Sequence, residues 1–572
     1  MRSESKICQN CKKDFTIEPD DFSFYEKIKV PPPTFCPECR SQRRMAWRNE
    51  RSLYKRTCDL CKKNIIAMYP NDFVSPVYCK DCWYSDKWDA EKYGKEYDFS
   101  RPFFKQFKEL YDAVPKLGLW QRSTINSPYS NMCGECKNVY LSVSVVLGSE
   151  NIFYSKSVDK SSNIFDSFNI QESESLYENI ECEKNYNCQY VKLSRNCIDS
   201  YFLIDCVNCS NCFLCSNLRN KEYCIRNKQY SKEDYSKEIQ KSNLGSRKVR
   251  EALIQEFDDI CLKAIYRYAN IIKSVSSSGN NLLNTKNCKD CFDTCNSENI
   301  KYGYRCLNNM KDSMDIFFSS GSEMLYEYTT GSLNDYNVKF SYSAMNHVRN
   351  ADYTESCVDS TDIFGCVGIK NKKYVVLNKV YTKEDYEKLR ENIIKQMGEI
   401  PYIDRKGRIY KYGEFFPIEI SSFAYNETSA QDFFPLTKEE AEKEGYSWRE
   451  PGEKIYNITV DSMSIPDDIK DTKENILNEV LGCIHEDKCE HQCTKAFRLT
   501  QDEFNFYKKH NIPIPNKCPN CRYNERFLKL LLPRLWQRKC MKKDCTNEFE
   551  TPYSPDRPEI VYCERCYQQE VY

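Results

Sequence analysis

The chain has 572 residues, with 84 Lys plus Arg set against 84 Asp plus Glu, so no global charge marks it for nucleic acid or a membrane and any such role must come from local clusters. Its length calls for about four domains with ample core, and no run of about 18 apolar residues is present to cross a membrane as a helix. Thirty-four cysteines would build a disulfide framework in a secreted chain. Here the start MRSESKICQN lacks an apolar leader, and zinc thiolates with free thiols in a reducing cytoplasm are the expectation.

Residues 1–90 carry four C-x2-C pairs: Cys8 and Cys11, Cys36 and Cys39, Cys58 and Cys61, Cys79 and Cys82. Residues 483–572 repeat the arrangement with Cys489, Cys493, Cys518, Cys521, Cys540, Cys545, Cys563 and Cys566. The gaps of 24, 18 and 17 residues between successive pairs recur at both ends, which makes this an internal duplication. Two such knuckles can gather four thiolates around one Zn2+, and the spacing predicts four zinc sites. With every corner filled by protein, these are structural sites and not catalytic ones. Each contributes on the order of 10–16 kcal/mol of apparent binding energy to folding. Whether the pairs combine in sequence or interleave is open from spacing, as is any added metal role for Cys133, Cys136, Cys483 or His485.

The segments CQNCKKDFTIEPDDFSFYEKIKVPPPTFCPECRSQRR and CTKAFRLTQDEFNFYKKHNIPIPNKCPNCRYNER share a Phe, an F-Y before a Pro turn, and C-P-x-C-R. Both resemble a zinc-ribbon family, which implies zinc binding and no activity. The whole arrangement also resembles large zinc-ribbon proteins of candidate-phyla bacteria, some labelled CaiB/BaiF (CoA-transferase); no residue here supports that label.

Residues 91–132 read as a connector with one short helix near RPFFKQFKELYDAV. From Cys133 to 245, triplets of a polar, an apolar and usually an aromatic residue recur at spacings of 13, 12, 12 and 12: Asn138-Val139-Tyr140, Asn151-Ile152-Phe153, Asn163-Ile164-Phe165, Ser175-Leu176-Tyr177, Asn187-Cys188-Gln189. Short strands separated by turns fit this period, and a β-solenoid is the expectation. The cysteines Cys188, Cys197, Cys206, Cys209, Cys212, Cys215 and Cys224 then face inward as small hydrophobes, although a further metal site is also open. A second solenoid is expected over 281–398, with triplets at Asn287, Asn299, Glu323, Asp335 and Asp362. Each block ends in a cap helix, begun at Ser231 and Thr382 with Asp234 and Asp385 three residues on. A helix is expected over 246–275 within a 246–280 segment, and residues 399–482 form an aromatic, Pro-rich connector with a helix capped at Thr437. The fold class is therefore multidomain and mainly β, with zinc-ribbon pairs flanking two helix-capped β-solenoids.

No catalytic residues are assigned. Four histidines are present, and no G-x-S-x-G, Walker A, G-x-G-x-x-G or H-E-x-x-H motif occurs. Between the zinc knuckles, Arg40, Arg44, Arg48, Arg51 and Lys55 read as one stripe of a helix of about 16 residues with Trp47 nearby, and Arg522, Arg526, Arg534 and Arg538, with Trp536 nearby, hold the matching place beside the helix-breaking Pro533. They suit phosphate contacts and base stacking, or ion pairs with acids elsewhere in this charge-balanced chain. The expectation is a non-enzymatic zinc-binding protein contacting RNA or a ribonucleoprotein. The alternatives are a protein–protein scaffold using the solenoid faces and an enzyme of unknown class. No membrane or small-molecule partner is indicated.

Overall fold

The computed structural model describes residues 2–329, 331, 333–452 and 455–572. It is mainly β, with large parallel sheets and twelve α-helices among the described residues.

Fourteen strands between Gln121 and Gln229 belong to one sheet system. Ile152 lies beside Ile164, Ile164 beside Leu176, and Leu176 beside Cys188, all in parallel register. The triplets acquire a physical meaning here. Asn138, Asn151, Asn163, Ser175 and Asn187 all have φ between 49° and 58°, a left-handed turn that Asn tolerates better than bulkier residues. Asn138 donates to Asn151 Oδ1 at 2.9 Å, and Asn151 to Asn163 Oδ1 at 3.0 Å. The residue after each turn, Val139, Ile152, Ile164, Leu176 or Cys188, is buried. Cys197, Cys206, Cys209, Cys212, Cys215 and Cys224 join that same interior. Their thiols donate to backbone carbonyls, as Cys197 does to Arg195 at 3.5 Å. No group of metal-ligating side chains includes them among the described residues.

The second block comprises mainly parallel sheets of five, eight and two strands on the same plan. Ile300 lies beside Ser313, Leu325 beside Val338, and Ile363 beside Val375. It starts before Asn281, since Ile271–Ile272 already pairs with Gly279–Leu283. Two triplets are displaced from expectation, one by a single residue and the other by two. Met324 and Asn337, not Glu323 and Asp335, take the left-handed turn, and Leu325 and Val338 point inward. Some neighbouring strands here are offset by thirteen residues, as at Glu323 and Tyr336, so a fixed twelve-residue count slips.

Helices Lys232–Gln240 and Lys383–Glu399 close the two blocks. Ser231 and Thr382 accept from the backbone N–H groups of Asp234 and Asp385, both at 3.1 Å. Each Asp then accepts from the capping hydroxyl itself, and the reciprocal bond of a full capping box is not among the described ones. Thr437 and Glu440 do form that box. The helix expected over 246–275 stops at Lys263. Asn217 holds the backbone N–H and C=O of Ile265 at 2.9 and 2.8 Å, turning Ile265–Arg267 into a strand beside Ile560–Tyr562. In the connector, Tyr410, Tyr412, Phe415 and Phe416 are buried with Trp47, Phe104, Phe107 and Tyr353 in one aromatic core.

The two ends dock crosswise. Helix Pro37–Met45 lies against the second block, where Arg40 meets Asp315 and Arg43 meets Glu327. Helix Pro519–Phe527 lies against the first block, where Arg522 meets Asp166 and Arg526 meets Asp166 and Glu178. The aromatic contacts are duplicated as well, with Tyr25 against Tyr326 and Tyr507 against Tyr177.

Candidate metal centres

Five groups of four side chains have ligand atoms close enough together to hold a metal ion. Three are Cys8, Cys11, Cys36 and Cys39; Cys58, Cys61, Cys79 and Cys82; and Cys540, Cys545, Cys563 and Cys566. Adjacent pairs combine in sequence order, without interleaving. In each, a two-stranded hairpin presents the first pair: Glu4–Ile7 with Asp14–Ile17, Tyr54–Thr57 with Asn64–Ala67, and Trp536–Lys539 with Glu548–Thr551. The third cysteine sits at a helix N-cap: Cys36, Cys79 and Cys563. A helix N-terminus favours the thiolate. The backbone N–H of that cysteine also points at the first sulfur, with Cys36 N to Cys8 Sγ at 3.3 Å, Cys79 N to Cys58 Sγ at 3.2 Å, and Cys563 N to Cys540 Sγ at 3.3 Å.

The geometry fits a tetrahedral ion. Metal–sulfur bonds of about 2.3 Å imply sulfur–sulfur edges of about 3.8 Å. Cys11 and Cys36 are 3.8 Å apart, Cys61 and Cys79 3.8 Å, and Cys545 and Cys563 3.9 Å. Crowding splits the thiols of each group, lowering Cys8 while raising Cys36 and Cys39, and lowering Cys518 while raising Cys483 and Cys521, a conflict that a shared cation would relieve. A thiolate is the form that a metal takes.

The remaining groups share one residue. Cys483, Cys493, Cys518 and Cys521 form one, and His485, Cys489, His491 and Cys521 the other. Spacing pairs Cys489 with Cys493, but the corner occupied by Cys8 in the first module belongs here to Cys483. Cys518 N donates to Cys483 Sγ at 3.2 Å, and Cys483 N to Lys495 O at 2.8 Å, as Cys8 N does to Lys13 O at 2.9 Å. The knuckle is thus Cys483-x9-Cys493, whose strands are Leu481–Gly482 and Ala496–Phe497. The common offset of Cys11, Cys36, Cys39 and Cys58 from Cys493, Cys518, Cys521 and Cys540 would have flagged it. Carried back to Cys8, that offset lands on Glu490, which is no thiol.

The arginines assigned to nucleic acid are placed differently. Helix Pro37–Met45 ends at Ala46, so the run from Arg40 to Lys55 is not one helix; Asn49 turns the chain by binding Ser52 through N–H and C=O. Arg40, Arg44, Arg48, Arg522 and Arg526 are buried, at most 4% exposed. Arg48 pairs with Glu50 at 2.6 Å, and Lys156 meets the same carboxylate at 2.6 Å. Burial alone would raise Glu50, but Lys156 and Arg48 hold it down at about 2. Trp47 is enclosed by Tyr111, Tyr342, Phe415 and Phe416. These six residues cannot reach a phosphate or a base in the folded chain, because acids and aromatics elsewhere in the fold already occupy them. Arg51 lies over the ring of Tyr523 and bonds Asn520 at 3.0 Å. Arg534 pairs with Glu38 at 3.0 Å and Arg538 donates to Ser554 O at 3.3 Å; Trp536 is half-buried beside Arg534.

A cleft of about 520 Å³ between the two blocks gathers Asp159, Glu181, Asn281, Asp293 and Arg305. Asn281 Nδ2 donates to Glu181 at 2.9 Å and to Asp293 at 2.8 Å. Burial and then Asp293 push Glu181 up to about 7, and burial pushes Asp159 up to about 6. Nothing in the sequence signals this cleft, whose members come from both blocks and, with Tyr553 and Tyr567, from the last module.

No protein-family model matches the chain, and neither does any curated protein. Among solved structures, one from Desulfovibrio desulfuricans G20 described as a "putative acetyltransferase" is 10% identical, covering 49% of this chain and 75% of its own, with a TM-score of 0.11. A likeness at that level carries no argument about fold or activity. Among the described residues, no helix is long and apolar enough to cross a membrane.

Proposed function

We propose that the chain is a zinc-stabilised, non-enzymatic scaffold. Tetrahedral zinc fixes each end module, each module clasps one strand block, and the blocks act as two short β-solenoids whose free faces take a protein partner. The observation that carries this reading is the set of groups with four protein thiols at tetrahedral spacing. Zinc suits such a donor set, and closed coordination suits a structural ion. The resemblance of both ends to a zinc-ribbon family supports the same assignment. The RNA reading loses its principal residues to internal ion pairs, which favours the scaffold alternative. Thirty-four cysteines, with no disulfide among the described residues, fit a cytoplasmic setting.

The test is crosslinking in the native cell, with sequencing of attached RNA and mass spectrometry of attached peptides. Peptide crosslinks on outward-facing strand residues are expected. RNA crosslinks centred on 40–56 or 522–538 would overturn the scaffold reading.

A further inference from the structure

The seven extra residues in the Cys483-x9-Cys493 knuckle, compared with Cys8-x2-Cys11, bring three more ligand residues: His485, Cys489 and His491. Their donor atoms gather with Cys521 Sγ, and Cys489 Sγ lies 3.7 Å from it, again the edge of a metal–thiolate tetrahedron. On its other side Cys521 Sγ lies 3.5 Å from Cys518 Sγ and 3.8 Å from Cys483 Sγ. One sulfur therefore belongs to two tetrahedra. The Nδ1 atoms of His485 and His491 are both buried without a hydrogen-bond partner, which is costly for a polar atom unless a ligand satisfies it. The other nitrogen of His485 stands 3.9 Å from Glu525, whose carboxylate accepts from Lys517 at 2.6 Å.

We propose that this knuckle holds two zinc ions bridged by the Cys521 thiolate. The inner ion takes Cys483, Cys493, Cys518 and Cys521; the outer takes His485, Cys489, His491 and Cys521. Two ions on one sulfur lie at most about 4.6 Å apart. Charge favours the pair. Four thiolates around one dication leave two negative charges, whereas five thiolates around two dications leave one. The inner ligands are all buried, while His485, Cys489 and His491 are only partly so, so the outer ion exchanges with solution and the inner one does not. The N-terminal module has no insertion and holds a single ion at the equivalent place.

This inference rests on the zinc reading above, and one experiment separates the two. Native mass spectrometry and elemental analysis of the full chain, purified without chelator, should count five zinc ions. The His485→Ala/His491→Ala variant and Cys489→Ser should each count four, with circular dichroism unchanged. Under limiting chelator, one ion should leave first from the wild type and none early from the variants. Cobalt substitution adds a second readout, since the absorption difference between wild type and variant should be that of a mixed nitrogen–sulfur site. Four ions in the wild type, or five that persist in the variants, would overturn the bridged pair while leaving structural zinc intact. Fewer than four would overturn the zinc reading itself.

Discussion

Arg40 and Asp315 lie 275 positions apart in the chain, yet their side chains meet at 2.6 Å with at most 1% of either exposed. Arg522 and Asp166 repeat this pairing at 2.6 Å in the other half. On each block the acids sit on successive turns, Asp315 with Glu327 and Asp166 with Glu178, all at positive φ. The duplication thus covers the docking surface as well as the metal ligands. Each end module is matched to the block farther from it in sequence.

Buried ion pairs add little net stability, but removing one partner strands the other. Arg40→Ala and Arg522→Ala should each cost about 3–5 kcal/mol in chemical denaturation. Adding Asp315→Ala to the first, or Asp166→Ala to the second, should cost less than the sum of the single changes, although Arg44 or Arg526 then also loses a carboxylate partner. Simple additivity of the single changes would show that the pairs are not coupled.

Chemical modification offers a direct check on where the arginines are. Arg40, Arg44, Arg48, Arg522 and Arg526 should resist phenylglyoxal in the native protein, whereas Arg405 and Arg534, with side chains 91% and 54% exposed, should react. Peptide mapping reads the pattern. Fast modification of Arg44 or Arg48 would restore them as candidates for phosphate binding.

The Asn ladder has separable contributions. Asn163→Ala forfeits the bond from Asn151 at 3.0 Å and leaves the turn at φ 55° to a residue without the polar side chain that favours it. It should cost about 1–2 kcal/mol, about 1 of it for the bond and the rest for the turn. Asn163→Gly should cost less, because glycine adopts the turn freely. Ile164→Asp, one residue on, should cost several kcal/mol by burying an unpaired charge. Equal effects of the Ala and Gly changes in thermal melts would mean that the turn contributes nothing.

Glu181 imposes a pH dependence. Its folded value is raised from 4.5 to about 7, so between those values the folded chain binds more protons than the unfolded one. Stability from this group is fully present below pH 4.5 and is lost as pH rises to about 7. Asp159 acts in the same direction up to about 6, and Glu50, held at about 2, acts oppositely and only below 4.5. Glu181→Gln should flatten the decline between pH 4.5 and 7 in denaturation midpoints. An unchanged slope would place the titration elsewhere.

The sequence by itself determined what is local and periodic. Cysteine spacing marked out three of the four-thiol groups complete, the recurring Asn-apolar pair located the left-handed turns and the inward residues, and Ser231, Thr382 and Thr437 marked helix starts. These features depend on backbone geometry within a few residues or on a repeat that reports itself. Where the repeat changed length, at Glu323 and Asp335 in the second block and at Cys489 in the last knuckle, counting slipped and only the folded chain showed which residue held the place. The arginines depended wholly on tertiary structure. A run such as CRSQRRMAWR has the same composition whether it faces phosphate or buried carboxylate, because the partner that decides between them, Asp315 or Glu327, is supplied by chain hundreds of residues away.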